Sequence, residues 1–246
     1  MPGGVRFHDK AASGWRRGYR SGGFQKRRRF VWRQLQELVT EGERWLDAGC
    51  GSGVLTDDLA VLGARGYAID ASRRMIDEAV RTAIRARERF EFQHVATLEM
   101  TGFADQYFDG VLCSSVIEYL KRPDLALVEF GRVIRPGGWL LLSVANRYSA
   151  IRNGQRLVRA GGKALGLDAY SYLSVLQTTC DRSQIANALQ ESGFSVDNVR
   201  FFDPFLPRAI WTLAPPSLIF VTARRLESSS PLSRNREARQ RHHRRR

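Results

Sequence analysis

"RWLDAGCGSGVLTDDLA" (residues 44–60) decides the reading of this chain. A short apolar run ends in an acid, Asp47, and glycine then recurs at every second position, Gly49, Gly51 and Gly53. The run reads as a buried strand, and residues 54–62 read as a helix closed near Gly63. Glycine permits a tight bend and lets the backbone approach a ligand. The dinucleotide fingerprint G-x-G-x-x-G fails in both registers, because Val54 or Thr56 stands where its third glycine belongs. No Gly-Lys-Ser/Thr follows, so the stretch is not a phosphate loop. What stands here is D-x-G-x-G-x-G.

Outward from that turn, strands and helices alternate. "RGYAID" is a second strand ending in Asp70, and Ser72 is placed to cap a helix running to about Arg87, with Met75, Ile76, Ala79 and Ala83 at helical spacing. "RFEFQHV" and "FDGVLCSS" are a third and fourth strand, "DLALVEFGRVI" a helix stopped by "RPGG", and "WLLLSVA" a fifth strand. Residues 146–178 lack strand character and read as a helical insertion. A helix over "DRSQIANALQESG", capped by Asp181 and stopped by Gly193, leads to two late strands, "FSVDNVRFF" and "SLIFVTARR". This alternation predicts an α/β fold, a doubly wound, mostly parallel seven-stranded sheet. Ligands of such sheets bind beyond the carboxyl ends of the strands.

The 246 residues are 43% apolar, enough for one sizeable core. No run is long enough to span a membrane, and the start, "MPGGVRFHDKAASGWRR", has no apolar signal region. Cys50, Cys113 and Cys180 are odd in number and far apart, which fits neither a disulfide framework nor a zinc site and makes a reducing cytoplasm the expectation. The net charge of +14 is uneven. Residues 1–33 hold ten Lys/Arg against one acid, Asp9, and residues 224–246 hold nine Arg against two Glu, so the stretch between is near neutral. The expected organisation is a basic N-terminal lid segment over 1–33, one domain over 34–225, and a basic tail over 226–246 too polar to fold. Such ends are either solvated extensions or sites of attraction to an anionic membrane surface, phosphate or an acidic partner.

The D-x-G-x-G-x-G stretch resembles motif I of the class I S-adenosylmethionine-dependent methyltransferases. The resemblance extends over residues 44–147: Asp70 stands where the family places its ribose-binding acid, "FDGVLCSSVIEYL" is similar to its fourth strand and the segment after it, and "IRPGGWLLLSV" to its fifth-strand turn and strand. It implies S-adenosyl-L-methionine as cofactor and no metal. Implied cofactor contacts are Asp47, Gly49, Gly51, Gly53, Asp70, Ala71, Met75 over an adenine face, Ala96, Thr97 and Leu98 near the adenine edge, and Ser114 at the end of the fourth strand. The acid that the family often carries after the third strand is missing from 95–97. Trp15, Tyr19 and Phe24 resemble a lid that covers the cofactor.

Within the family the chain most resembles the O-methyltransferases of quinone biosynthesis. Their "EVxEH" is here Ser115-Val116-Ile117-Glu118-Tyr119, so an acid and a histidine are lost. Candidate catalytic groups are His8, Glu118 and Tyr119. The expected reaction is methyl transfer to a hydroxyl of a small, hydrophobic or aromatic acceptor, with porphyrin carboxyl or nitrogen methylation as the alternative. A nucleic-acid methyltransferase is disfavoured, since no Asn-Pro-Pro-Tyr or Asp-Pro-Pro-Tyr follows the fourth strand. A cofactor-binding protein without catalysis is the remaining class. The sequence does not specify the oligomeric state.

Overall fold

In the computed structural model, which describes residues 3–164 and 171–227, two helices precede the sheet: α1 (Gly3–Gly18) and α2 (Gly22–Leu38). Strand β1 (Arg44–Ala48) follows, then α3 (Val54–Val61), β2 (Arg65–Asp70), α4 (Arg73–Thr82), β3 (Phe90–His94), β4 (Phe108–Ser114), α5 (Pro123–Val133), β5 (Ile134–Ala145), α6 (Ala150–Ala164), α7 (Arg182–Glu191), β6 (Phe194–Phe202) and β7 (Leu218–Arg225). The sheet order is β3-β2-β1-β4-β5-β7-β6; the first five strands run parallel, and β7 lies antiparallel between β5 and β6. The chain winds outward from β1 to β3 and then returns to β4 beside β1. The order therefore reverses between β1 and β4, where ligands of open α/β sheets sit.

Helices cover both faces, so the central strands are continuous apolar runs. Successive residues serve opposite cores. Leu46, Val111, Leu140 and Leu142 pack with Phe130 of α5 and Leu189 of α7, whereas Trp45, Leu112 and Leu141 pack with Leu35 of α2 and Leu59 of α3. No helix among the described residues is long and apolar enough to cross a membrane.

Three departures from the sequence reading have physical causes. Ser72 does cap α4, accepting the Met75 N–H at 3.1 Å, but the helix ends at Thr82 rather than near Arg87. The buried Asp57 of α3 captures the chain beyond it, since one carboxylate oxygen accepts the N–H groups of Ile84, Arg85 and Ala86 at 3.0, 2.9 and 2.9 Å. That turn cannot then continue as an α-helix. Secondly, β5 begins at Ile134 and includes the Pro-Gly-Gly turn, with a register irregularity opposite Phe108–Gly110. Thirdly, the basic N-terminus is partly spent inside the fold: Arg16 pairs with Asp57, and Arg28 pairs with the buried Asp58 at 2.7 Å. The insertion contains α6 and a short 3-10 turn at Ser171–Ser174. Residues 165–170 of the insertion and the tail from residue 228 onward lie outside the described residues.

Candidate functional site

A cavity of about 760 Å³ opens beyond the carboxyl ends of β1, β2 and β4. Of the sequence-expected residues, Tyr19, Asp47, Gly49, Gly51, Asp70, Ala71, Ala96, Thr97, Leu98 and Ser114 line it, as do His8, Glu118 and Tyr119. Two do not. Gly53 sits behind the loop as the left-handed residue (φ 72°) that starts α3, against Ala79 and Phe92. Met75 is wholly buried and does not line the cavity; its N–H is held by the Ser72 cap. His94 lies exposed at the end of β3, its Nε2 3.2 Å from the Ala71 carbonyl. Tyr148 of the insertion is 59% exposed and off the cavity wall.

The glycine loop is held from both sides. Gly49 and Cys50 donate their N–H groups to the Ile69 carbonyl at 2.8 and 3.0 Å, which keeps the loop on the end of β2. Asp70 fixes the rest: one carboxylate oxygen accepts Gly51 N–H at 2.9 Å and the other accepts Ser72 N–H at 2.8 Å. Burial pushes the Asp70 carboxyl up, against the pull of those two donors. Asp47, 2% exposed, accepts the Thr56 hydroxyl at 2.6 Å. Burial pushes its carboxyl up to about 7, an effect the Thr56 bond opposes and the neighbouring Asp70 reinforces.

Across the switch point, the segment after β4 forms the other wall. Ser115 adopts a left-handed conformation (φ 58°) uncommon for a residue with a side chain, and its N–H donates to Ser143 Oγ of β5 at 2.8 Å. Glu118 is buried, with Oε2 lacking a hydrogen-bond partner among the described residues. Arg27 of α2 donates to Ser115 Oγ at 3.0 Å and to Tyr19 Oη at 2.7 Å, its guanidinium lies 4.9 Å from the Phe24 ring centroid, and its buried Nε has no hydrogen-bond partner among the described residues.

Sequence reasoning missed Arg27, Glu99 and Ser143. Arg27 was hidden in the run "KRRRF", where it is indistinguishable from solvated neighbours. Glu99 lines the cavity two positions beyond Thr97, whose Oγ1 accepts its N–H at 3.1 Å. It brings a carboxylate to the region where 95–97 lack one.

Helix α1 closes the front. Asp9 accepts the Ser72 hydroxyl at 2.5 Å, Arg16 donates to the Ser52 carbonyl at 3.2 Å, and Trp15 lies beside Gly51. The cavity thus has carboxylates over β1, β2 and the segment after β3, and Arg27 above β4, with Lys121 and Arg152 further along its wall. That charge pattern fits a ligand bearing an ammonium and a sulfonium, a ribose diol and a carboxylate.

A family described as a methyltransferase domain matches residues 46–142. A ubiquinone biosynthesis O-methyltransferase of Dechloromonas aromatica is 30% identical over 112 residues, 46% of this chain and 48% of that one. The chain thus spans about half the length of this and most other curated relatives it matches, although one of Leptothrix cholodnii with the same name is 25% identical over 82% of this chain and 85% of its own. Among solved structures, magnesium protoporphyrin IX methyltransferase from Synechocystis, with SAH bound, superposes with a TM-score of 0.66 at 23% identity, covering 89% of this chain and 96% of that chain. With the strand order and the glycine turn, these likenesses show a methyltransferase domain over residues 46–142, built on the fold of the S-adenosylmethionine-dependent methyltransferases.

Proposed function

We propose that the protein transfers the methyl group of S-adenosylmethionine to a hydroxyl of a small, hydrophobic or aromatic acceptor. The observation that carries this reading is the lining of the cavity, which includes the aromatic side chains Phe7, Phe24, Tyr119 and Phe205 beside the glycine loop and the two acids. In this reading Asp70 holds the ribose hydroxyls, Asp47 faces the ammonium and sulfonium charge, Arg27 pairs with the methionine carboxylate, and Thr97, Leu98 and Glu99 border the adenine. When bound, the cofactor supplies an electrophilic methyl carbon. The protein's own part is to align the acceptor oxygen with that carbon and exclude water. The names of the quinone-biosynthesis relatives favour a phenolic hydroxyl; that of the Synechocystis structure keeps a porphyrin carboxylate as the second reading.

The test is release of S-adenosylhomocysteine when the protein is given S-adenosylmethionine with catechols, with a carboxylated porphyrin, or with nucleic acid. Transfer to catechols supports the reading. Transfer confined to the porphyrin moves it to carboxyl chemistry, and transfer to nucleic acid ends it.

Asp47 gives this reading a pH signature. In the free protein its proton stays on up to about pH 7, while a cationic ligand favours the carboxylate. Binding of S-adenosylmethionine therefore releases a proton below that pH. Affinity is expected to rise by up to about tenfold per pH unit on approaching pH 7 from below, and to level off above it. Asp47→Asn should flatten the profile. Folding stability runs the other way: the folded acid keeps a proton that the unfolded one loses near 4, so the free protein should lose stability as pH rises from about 4 to 7. Calorimetry across pH 5.5–8.5, in buffers of different ionisation heat, reads both affinity and proton release (the range is set roughly one to two units around the shifted group). A flat wild-type profile would place the cation elsewhere.

A further inference from the structure

We infer that His8, carried on α1, is the general base that takes the proton from the acceptor hydroxyl; this rests on the methyl-transfer reading above. By its resemblance to the quinone-biosynthesis enzymes, the segment Ser115–Tyr119 is expected to carry a histidine where Tyr119 stands. Here the imidazole comes from a different element to the same place: the His8 ring lies edge-on to the Tyr119 ring, with centroids 4.9 Å apart. The main chain of α1 comes close to this segment as well, for a Cβ built on Gly4 would lie 3.4 Å from Tyr119 Cβ.

The hydrogen bonding fixes which nitrogen can act. His8 Nδ1 is 2.8 Å from the Gly4 carbonyl oxygen. A carbonyl only accepts, so Nδ1 must carry the hydrogen. The neutral ring then has its lone pair on Nε2, and the ring borders the cavity. Ring contacts with Phe7 and Trp15, at 5.3 and 5.2 Å between centroids, hold the imidazole's orientation. The other candidate, Glu118, is buried to 1% exposure, and its carboxyl is pushed up by that burial. Its carbonyl accepts the N–H groups of Gln177 and Thr178 at 2.8 and 3.1 Å, so the residue ties this wall to the insertion.

Helix α1 also carries Asp9, Trp15 and Arg16, which engage Ser72, Gly51 and Ser52 around the glycine loop. The base is therefore in place only when the helix is seated over the cofactor loop, which ties proton removal to closure. In the step itself the acceptor oxygen bonds to the methyl carbon as the carbon–sulfur bond breaks and its electron pair goes to sulfur. The hydroxyl proton goes to His8 Nε2 and from there to water.

Two measurements test this. In ¹⁵N-histidine-labelled wild-type protein, the imidazole identified by its through-space contact with Tyr119 should show the Nδ1–H tautomer in long-range proton–nitrogen correlation spectra; the Nε2–H tautomer would overturn the inference without any variant. Kinetically, catechol is protonated at neutral pH, whereas benzenethiol is largely ionised there and needs no base. His8→Gln should slow methylation of catechol by about 100-fold, the usual scale for loss of a general base. Methylation of benzenethiol and affinity for S-adenosylhomocysteine should stay within about twofold, since neither depends on proton removal. Equal slowing of both probes, or of neither, overturns the base assignment while leaving the methyl-transfer reading intact. Failure of wild-type protein to bind S-adenosylhomocysteine would bring down both.

Discussion

Gly49→Ala is expected to lower folding stability by about 2–5 kcal/mol, combining a left-handed alanine with an overpacked contact. Gly49 has φ 80°, and a Cβ there would lie 2.3 and 2.7 Å from the two methyl carbons of Val116. Neither neighbour can step aside cheaply. The loop is tied to the Ile69 carbonyl, and Val116 lies between the strained Ser115 and a short helical turn at Ile117–Tyr119. Urea denaturation of the single variant and of Gly49→Ala with Val116→Ala separates the two terms. The double variant should recover the part due to the clash and keep the cost of about 1–2 kcal/mol due to the backbone. An unchanged midpoint in the single variant would mean that Val116 does not close over this loop. The same contact shows why glycine stands first in the motif: its hydrogen faces a protein side chain, not only a ligand.

Asp70→Ala is expected to weaken S-adenosylhomocysteine binding by about 100-fold, near 3 kcal/mol, the upper range for hydrogen bonds to a charged group. The carboxylate does two jobs at once. It orders the loop through Gly51 and the start of α4 through Ser72, and in the proposed reading its remaining lone pairs receive the ribose hydroxyls. Asp70→Asn should be nearly as harmful, because its NH₂ must face one of the two backbone N–H donors. Calorimetry on both variants checks this, with the thermal midpoint as control for folding. Affinity within threefold of wild type (roughly 0.6 kcal/mol) would place the ribose elsewhere.

Both effects turn on residues that the sequence displayed openly, yet their reasons were only half legible. Spacing alone determined the backbone path: an apolar strand, three glycines at alternate positions and a capped helix can be read within a window of seventeen residues. The same local grammar placed Asp70 at a strand end, Ser72 and Asp181 at helix starts, and Gly193 at a helix stop. The strand–helix alternation then gave the sheet, since parallel strands need crossover helices to cover both faces.

Side-chain surroundings were another matter, because they depend on contacts between segments far apart in the chain. Arg27 meets Ser115 across 88 positions, Arg16 meets Asp57 across 41, and Asp9 meets Ser72 across 63. Nothing local distinguishes a cation that will line a cavity from one that will face water, so the N-terminal charge read as a basic end. Periodicity likewise placed Met75 on a buried face but could not say whether that face was cavity or core; packing of α4 against the sheet decided for the core. The histidine absent at Tyr119 looked like a loss in sequence. Tertiary structure alone brings His8 against that ring, because only the docking of α1 over the switch point joins the two segments.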